Sequence, residues 1–257
     1  MKGEYYKIYL SELAGTGIMV FIGLSIVIFN NGEGSVVVKH IPDAGVRRAI
    51  TGFLFGSTGC LVTLSPVGKL SGAHINPVVS IAFWLQKKLS FGHTIGFIIA
   101  QMAGAALGAS LLLVWGRQGK SIAYGATIPG PQGIAAAFIG EVVTTFLLIA
   151  GIFFFTGHQR LKNYTPFLMP ALYCITVFAE GPLSGTSTNP ARSFGPALIS
   201  GVWTGYWLYW IAPLTGTLLA VALFRLLPLK SIQLSIAKLY HFQHDTTGFF
   251  AHSEMNT

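Results

Sequence analysis

Six long stretches without a charged side chain constrain this chain more than any other feature: 13–32, 49–68, 89–116, 142–159, 163–179 and 193–224. A helix needs about 20 mostly apolar residues to cross the hydrocarbon core of a bilayer. Only 16 Lys/Arg and 8 Asp/Glu occur among 257 residues, whereas an ordinary soluble domain is about 25% charged. Such a chain cannot clothe a water-facing surface, which excludes a soluble enzyme and a disordered chain. The net charge of +8 does not point to nucleic acid, because the basic residues form no dense stripe. The chain reads as an all-α membrane protein with spans near 8–29, 47–64, 92–115, 134–156, 166–180 and 205–227. The first stretch is too long for a signal-peptide apolar region and lacks a small-residue cleavage site, so it reads as a retained span. Cys60 and Cys174 fall in apolar runs and read as inert packing residues.

Residues 30–46 and 116–133 read as loops and 157–165 as a short polar link. The tail 228–257 reads as one weakly amphipathic stretch followed by polar, disordered residues. Placing both termini in the cytoplasm puts ten Lys/Arg inside and six outside, the asymmetry expected of that orientation.

An internal repeat organises the chain. Residues 70–80 and 183–193 share the pattern Leu-Ser-Gly-x-x-x-Asn-Pro-x-x-Ser at an offset of 113. Each copy follows the second span of a three-span half, and the halves open with Glu12 and Glu141. An odd number of spans per half inverts one half relative to the other, the arrangement in which sites lie at the midplane between interrupted helices. The whole chain, 1–257, reads as a single channel domain with halves at about 1–115 and 134–228 and a cytoplasmic tail at 229–257.

The two Asn-Pro pairs are helix starts. Asn caps well and proline suits the first turn. A helix from Asn76 to Gln86 is about 16 Å long at 1.5 Å per residue, about half the hydrocarbon thickness. The helix from Asn189 to about Ile199 is similar. Neither can span, so in inverted halves one enters from each side and their starts meet. Irregular backbone at membrane depth must be packed in protein or line a wet path. Along such a path, segments 71–75 and 184–188 offer carbonyl acceptors, Asn76 and Asn189 offer central donors, and two positive helix ends repel cations.

These motifs resemble those of the major intrinsic proteins, the aquaporin and aquaglyceroporin channels. The carriers are 71–78 (Ser-Gly-Ala-His-Ile-Asn-Pro-Val), 184–196 (Ser-Gly-Thr-Ser-Thr-Asn-Pro-Ala-Arg-Ser-Phe-Gly-Pro) and 11–16 (Ser-Glu-Leu-Ala-Gly-Thr). The resemblance covers about 5–228 and implies six spans plus two re-entrant half-helices, a pore in each protomer of a homotetramer, passive transport and no cofactor or metal. It implies a central constriction at Asn76 and Asn189, support of the half-helices by Glu12 and Glu141, and a selectivity arginine at Arg192. Counting from the motifs puts the other filter positions at Gly56, Val177 and Thr186, while a one-residue slip would put Phe55 in the pore instead. His74 is a candidate gate by protonation. Glu180 reads as a solvated residue at the outer mouth. Val78 departs from the family's usual alanine and is expected to reshape the pore slightly.

Gly56 and Val177 imply a wide, weakly polar filter open to glycerol as well as water. Ser193, in place of the aspartate usual in glycerol facilitators, together with Ala197 and the pair Tyr209-Trp210, resembles water channels. The expected function is a passive channel for water and small uncharged solutes such as glycerol, excluding protons and ions, in the plasma (inner) membrane. The alternatives are a strictly water-selective channel and a proton-coupled transporter, for which Glu12 and Glu141 are the available coupling groups. An enzyme is not expected, since no nucleophile–base pair, facing carboxylate pair or metal-ligand cluster is present.

Overall fold

The computed structural model describes residues 4–226, 233–245 and 248–250. Among the described residues, six long helices run α1 (Tyr5–Asn31), α2 (Ala44–Leu64), α4 (Phe91–Leu111), α5 (Ile134–Gly157), α6 (Thr165–Ser184) and α8 (Leu208–Leu226). Two half-length helices, α3 (Pro77–Leu85) and α7 (Pro190–Ser200), interrupt each half after its second span. This is the inverted six-span, two-half-helix architecture expected from the repeat. The expected loops are partly helical, with short helices at Val36–His40 and Gly116–Lys120.

The halves mate through equivalent contacts. α1 packs on α4 as α5 packs on α8, and α2 and α6 form the most extensive helix pair of all. The half-helices are exchanged, with α3 touching α8 and α7 packing on α4. Two stripes of small residues permit this closeness. A Cβ on Gly104 would stand 2.1 Å from the Leu13 carbonyl oxygen. On α2, a Cβ on Gly52 or Gly56 would stand 2.1 or 2.4 Å from the Tyr173 or Met169 carbonyl of α6. Without a hydrophobic drive between helices in lipid, such backbone approach supplies the packing.

Polarity is distributed as a bilayer requires. Leu61, Ile99, Ile139 and Ile175 face outward, while Glu12 and Glu141 are both 0% exposed. Five of the long helices are apolar enough to cross a membrane by length and composition alone. α2 is not among them, because Arg47 and Arg48 sit in its first turns and Thr51, Ser57, Thr58 and Thr63 follow. Its Arg48, Thr51 and Thr63 turn toward the cavities described next.

The tail departs from the disordered segment expected. Among its described residues, Ala237, Lys238, Leu239, Phe249 and Phe250 are buried against the bundle; the remaining tail positions lie outside the described residues.

Candidate functional site

The site begins with two strained loops. Gly72, Ala73 and Ile75 take φ of 87°, 56° and 42°, and Gly185, Thr186 and Thr188 take 85°, 50° and 51°. Left-handed backbone at β-branched residues costs on the order of 1–3 kcal/mol each and persists only where the surroundings over-determine it. Here the two membrane carboxylates do so. Glu12 accepts from the His74 amide at 3.0 Å, the Ile75 amide at 2.7 Å and the Gln101 side chain at 2.8 Å. Glu141 accepts from the Ser187 amide at 2.5 Å, the Thr188 amide at 2.8 Å and the Ser184 hydroxyl at 2.6 Å. A carboxylate in hydrocarbon costs about 2.5–3.5 kcal/mol on insertion scales. Hydrogen bonds to charged groups contribute about 1.5–3 kcal/mol each, so three per carboxylate offset that cost and hold the loops.

Each loop delivers its asparagine to the other. Asn76 Nδ2 donates to the Thr188 carbonyl and Asn189 Nδ2 donates to the Ile75 carbonyl, both at 2.9 Å. The Oδ1 atoms cap their own helices, Asn76 accepting from the Val78 amide and Asn189 from the Ala191 and Arg192 amides. The starts of α3 and α7 therefore abut. Val78 is fully buried and lines neither of the two cavities found here, so its extra methyls do not reshape them as anticipated.

On one side of this pair lies an inner cavity of about 50 Å³, lined among others by Asn76, Asn189, Ile75, His74, Met19 and Leu239. An outer cavity of about 150 Å³ holds Arg192, Thr186, Val177, Phe55, Tyr173 and Thr51. Phe55 and Tyr173 line both cavities and so stand between them. Arg192 is 5% exposed, donates to the Gly125 carbonyl at 2.7 Å and holds its guanidinium 5.8 Å from the centre of the Phe55 ring.

Of the two α2 candidates, Phe55 is the one beside the Arg192 guanidinium, whereas Gly56 lines the inner cavity and is pressed against the Met169 carbonyl. Adjacent helical residues point about 100° apart, and the glycine takes the side facing α6 because only it fits there.

Glu180 is misplaced by the sequence reading. It is 5% exposed and accepts from the Thr186 hydroxyl. Tyr173 was missed altogether. Its hydroxyl bonds Thr188 Oγ1 at 2.7 Å and its ring lies 5.7 Å from that of Phe55. A signal was available: Tyr173, Val177 and Gly181 recur every four residues on one face of α6, and all three line the outer cavity.

Around the second motif, Ser193 Oγ joins Thr127 at 2.7 Å and Ser187 at 2.6 Å, and Tyr209 donates to the Ser184 carbonyl at 2.8 Å. His74 is 1% exposed, with Nδ1 3.0 Å from Ser80 Oγ and Nε2 2.9 Å from the Ala237 carbonyl. A carbonyl can only accept, so Nε2 carries the hydrogen.

Comparison with known proteins gives a consistent set of likenesses. The family described as Major intrinsic protein matches residues 1–224. Aquaporin Z of Rhodopseudomonas palustris is 31% identical over 85% of this chain and 92% of its own length. Aquaporin NIP3-1 of Arabidopsis thaliana is 33% identical over 81% of this chain and 64% of its own. Among solved structures, the aquaglyceroporin from Plasmodium falciparum superposes with a TM-score of 0.71 at 19% identity, covering 88% of this chain and 98% of that one; at that identity the likeness speaks for the fold.

Proposed function

This chain belongs to the major intrinsic protein family, an integral membrane channel and not an enzyme, and from that premise we propose that it passes water and small uncharged polyols such as glycerol while excluding cations and protons. The observation that carries the reading is the reciprocal pair of asparagine–carbonyl bonds in the wall of the inner cavity, which Phe55 and Tyr173 separate from the outer one. Beyond the hydrogen given to a carbonyl, each asparagine amide has a second one to offer a permeant; Asn189 Nδ2 lies 4.0 Å from Met19 Sδ, a weak acceptor that a permeant oxygen replaces. A water that accepts from both Asn76 and Asn189 turns its own hydrogens away from the centre, so no proton is handed across that point. The abutting N-termini of α3 and α7 add positive potential there, and Arg192 adds a full charge at the outer constriction.

The outer constriction is two-faced. Phe55, Tyr173 and Val177 present carbon, whereas Arg192 and Thr186 present polar groups. A polyol matches this with a row of CH groups on one side and hydroxyls on the other. A strictly water-selective pore is the second reading, and the position of Phe55 and Tyr173 between the cavities favours it. Proton coupling finds little support: Glu12 and Glu141 each already accept three hydrogen bonds from the protein.

The Lys/Arg asymmetry supports cytoplasmic termini, and we place the protein in the plasma (inner) membrane as a homotetramer with one pore per protomer. Light scattering of proteoliposomes under separate sucrose and glycerol gradients tests the solute range. Shrinkage followed by fast re-swelling in glycerol supports the polyol pore; shrinkage without re-swelling supports the water-only pore. Osmotic flux that responds to a proton gradient at fixed solute gradient would sink the passive mechanism.

A further inference from the structure

The described part of the tail packs against the first re-entrant loop, and its Leu239 lines the inner cavity. Gln233 donates its amide to the Gly157 carbonyl at the end of α5, at 3.0 Å. On the other half, the Leu239 amide donates to the Gly72 carbonyl at 3.0 Å, and Lys238 Nζ donates to the carbonyls of Lys69 at 2.7 Å and His244 at 2.5 Å. Farther along, the Asp245 carboxylate accepts from the Phe249 and Phe250 amides. The Phe249 ring then sits among Tyr5, Tyr9, His93 and Phe97 of α1 and α4, stacked 5.8 Å from Phe97. Three fastenings, on α5, on the first re-entrant loop and between α1 and α4, thus carry the tail from one half to the other.

Between the fastenings the contact is tight. Ala237 and Lys238 are 0% exposed and Leu239 is 5% exposed. The loop meets the tail backbone to backbone: a Cβ on Gly72 would stand 2.9 Å from the Ala237 carbonyl oxygen. The tail also occupies polar groups of the re-entrant loop. The Gly72 carbonyl receives the Leu239 amide, and the His74 ring nitrogen is spent on Ala237. Leu239 completes the geometry by lining the same inner cavity as Asn76 and Asn189, the smaller of the two pore cavities.

We propose that residues 236–239 are a built-in plug, which closes the inner mouth with the Leu239 side chain and opens it by withdrawing from Gly72 and His74. The proposal rests on the channel reading above and adds regulation to it. Leu239 puts an apolar side chain into the lining of the inner cavity, and its amide takes the Gly72 carbonyl, an acceptor that water would use there. Phe249 acts at a distance, as the anchor that keeps the plug seated.

The full chain in proteoliposomes, with osmotic water permeability measured per inserted protein, tests this. A series at the plug, Leu239→Gly, Leu239→Ala, wild type and Leu239→Phe, changes side-chain volume and leaves the backbone bonds available. Permeability is expected to rise several-fold toward Gly and to fall for Phe. Phe249→Ala, which removes the ring seated among Tyr5, Tyr9, His93 and Phe97, is expected to raise permeability as Leu239→Gly does. Equal, non-zero permeability across the Leu239 series overturns the plug and leaves the channel reading intact. Absence of osmotic flux in every member, in protein that remains monodisperse, overturns both.

Discussion

In the channel proposed above, exclusion of cations is assigned first to Arg192. Its guanidinium is buried and spends one bond on Gly125, leaving the other donors for permeants. Arg192→Val is expected to admit larger solutes and to leak cations, read as conductance in planar bilayers; an unchanged solute series and no conductance would place the filter elsewhere. The register of α2 is tested by a neighbouring pair. Phe55→Ala removes the ring that stands between the cavities, so glycerol permeability should rise relative to water. Gly56→Ala instead drives a methyl to within 2.4 Å of the Met169 carbonyl, an overpacking that costs about 1–3 kcal/mol and should appear as a lower melting temperature in detergent. Glu141→Gln exchanges an acceptor-only group for one carrying an NH₂, which must face a donor among Ser184, Ser187 and Thr188. Losing one charge-assisted bond and stranding its donor costs on the order of 2–3 kcal/mol, with a parallel loss of water flux. The Asn-Pro caps were legible in the sequence because capping is local: an asparagine, a proline and the next two amides suffice. Phe55 against Gly56 was not, because which of two adjacent residues faces the pore is decided by the helix packed alongside.

Among the elements, the half-helices explain themselves and the spans explain each other. α3 and α7 are short, each starting at an asparagine cap held against the loop of the other half and ending after 9 and 11 residues. Their placement needs the whole bundle, since each packs on the last span of the opposite half. α1 and α4 are held together by backbone approach at Gly104 and Gly108, which meet the carbonyls of Leu13 and Gly17. Gly104→Leu is therefore expected to separate α1 from α4, displacing Glu12 from the first loop; loss of folded protein after detergent extraction is the readout. Small residues at spacing four signal such an interface in the sequence, but not its partner. α2 illustrates the limit of hydropathy: its arginines and hydroxyls hide a span that the repeat nevertheless required. Glu180 shows the converse, a carboxylate near the end of α6 that reads as wet until α5 closes over it at Gly140.

For the whole molecule, the proposed plug predicts a pore that responds to pH on the side where the tail docks. His241 and His244 titrate below their ordinary 6.5, chiefly because burial disfavours the charged ring, with Lys69 and Lys238 adding like-charge repulsion. Burial pushes Lys238 down to about 8, against the pull of Asp245. Lys162 also faces this cluster, and His74 meets the tail at Ala237. The docked tail thus binds fewer protons than a released one. Docking is strongest at alkaline pH, weakens as Lys238 takes its proton between about 10.5 and 8, and weakens again as pH falls below about 6.5. Water permeability should accordingly rise on acidifying the inner face from pH 7.5 to about 5.5, and the Phe249→Ala variant should show a flatter profile; an identical profile in both would uncouple the histidines from the tail. The linear chain determined the six spans, the inverted repeat and the helix starts, because each depends on residues within one segment: apolar length, a shared eleven-residue frame, a cap. Tertiary structure alone decided which side of α2 meets α6, that Tyr173 and Phe55 stand together, and that a tail with no strong pattern of its own packs on the first re-entrant loop. Those outcomes are set by contacts between segments far apart in sequence, whose energies no single segment encodes.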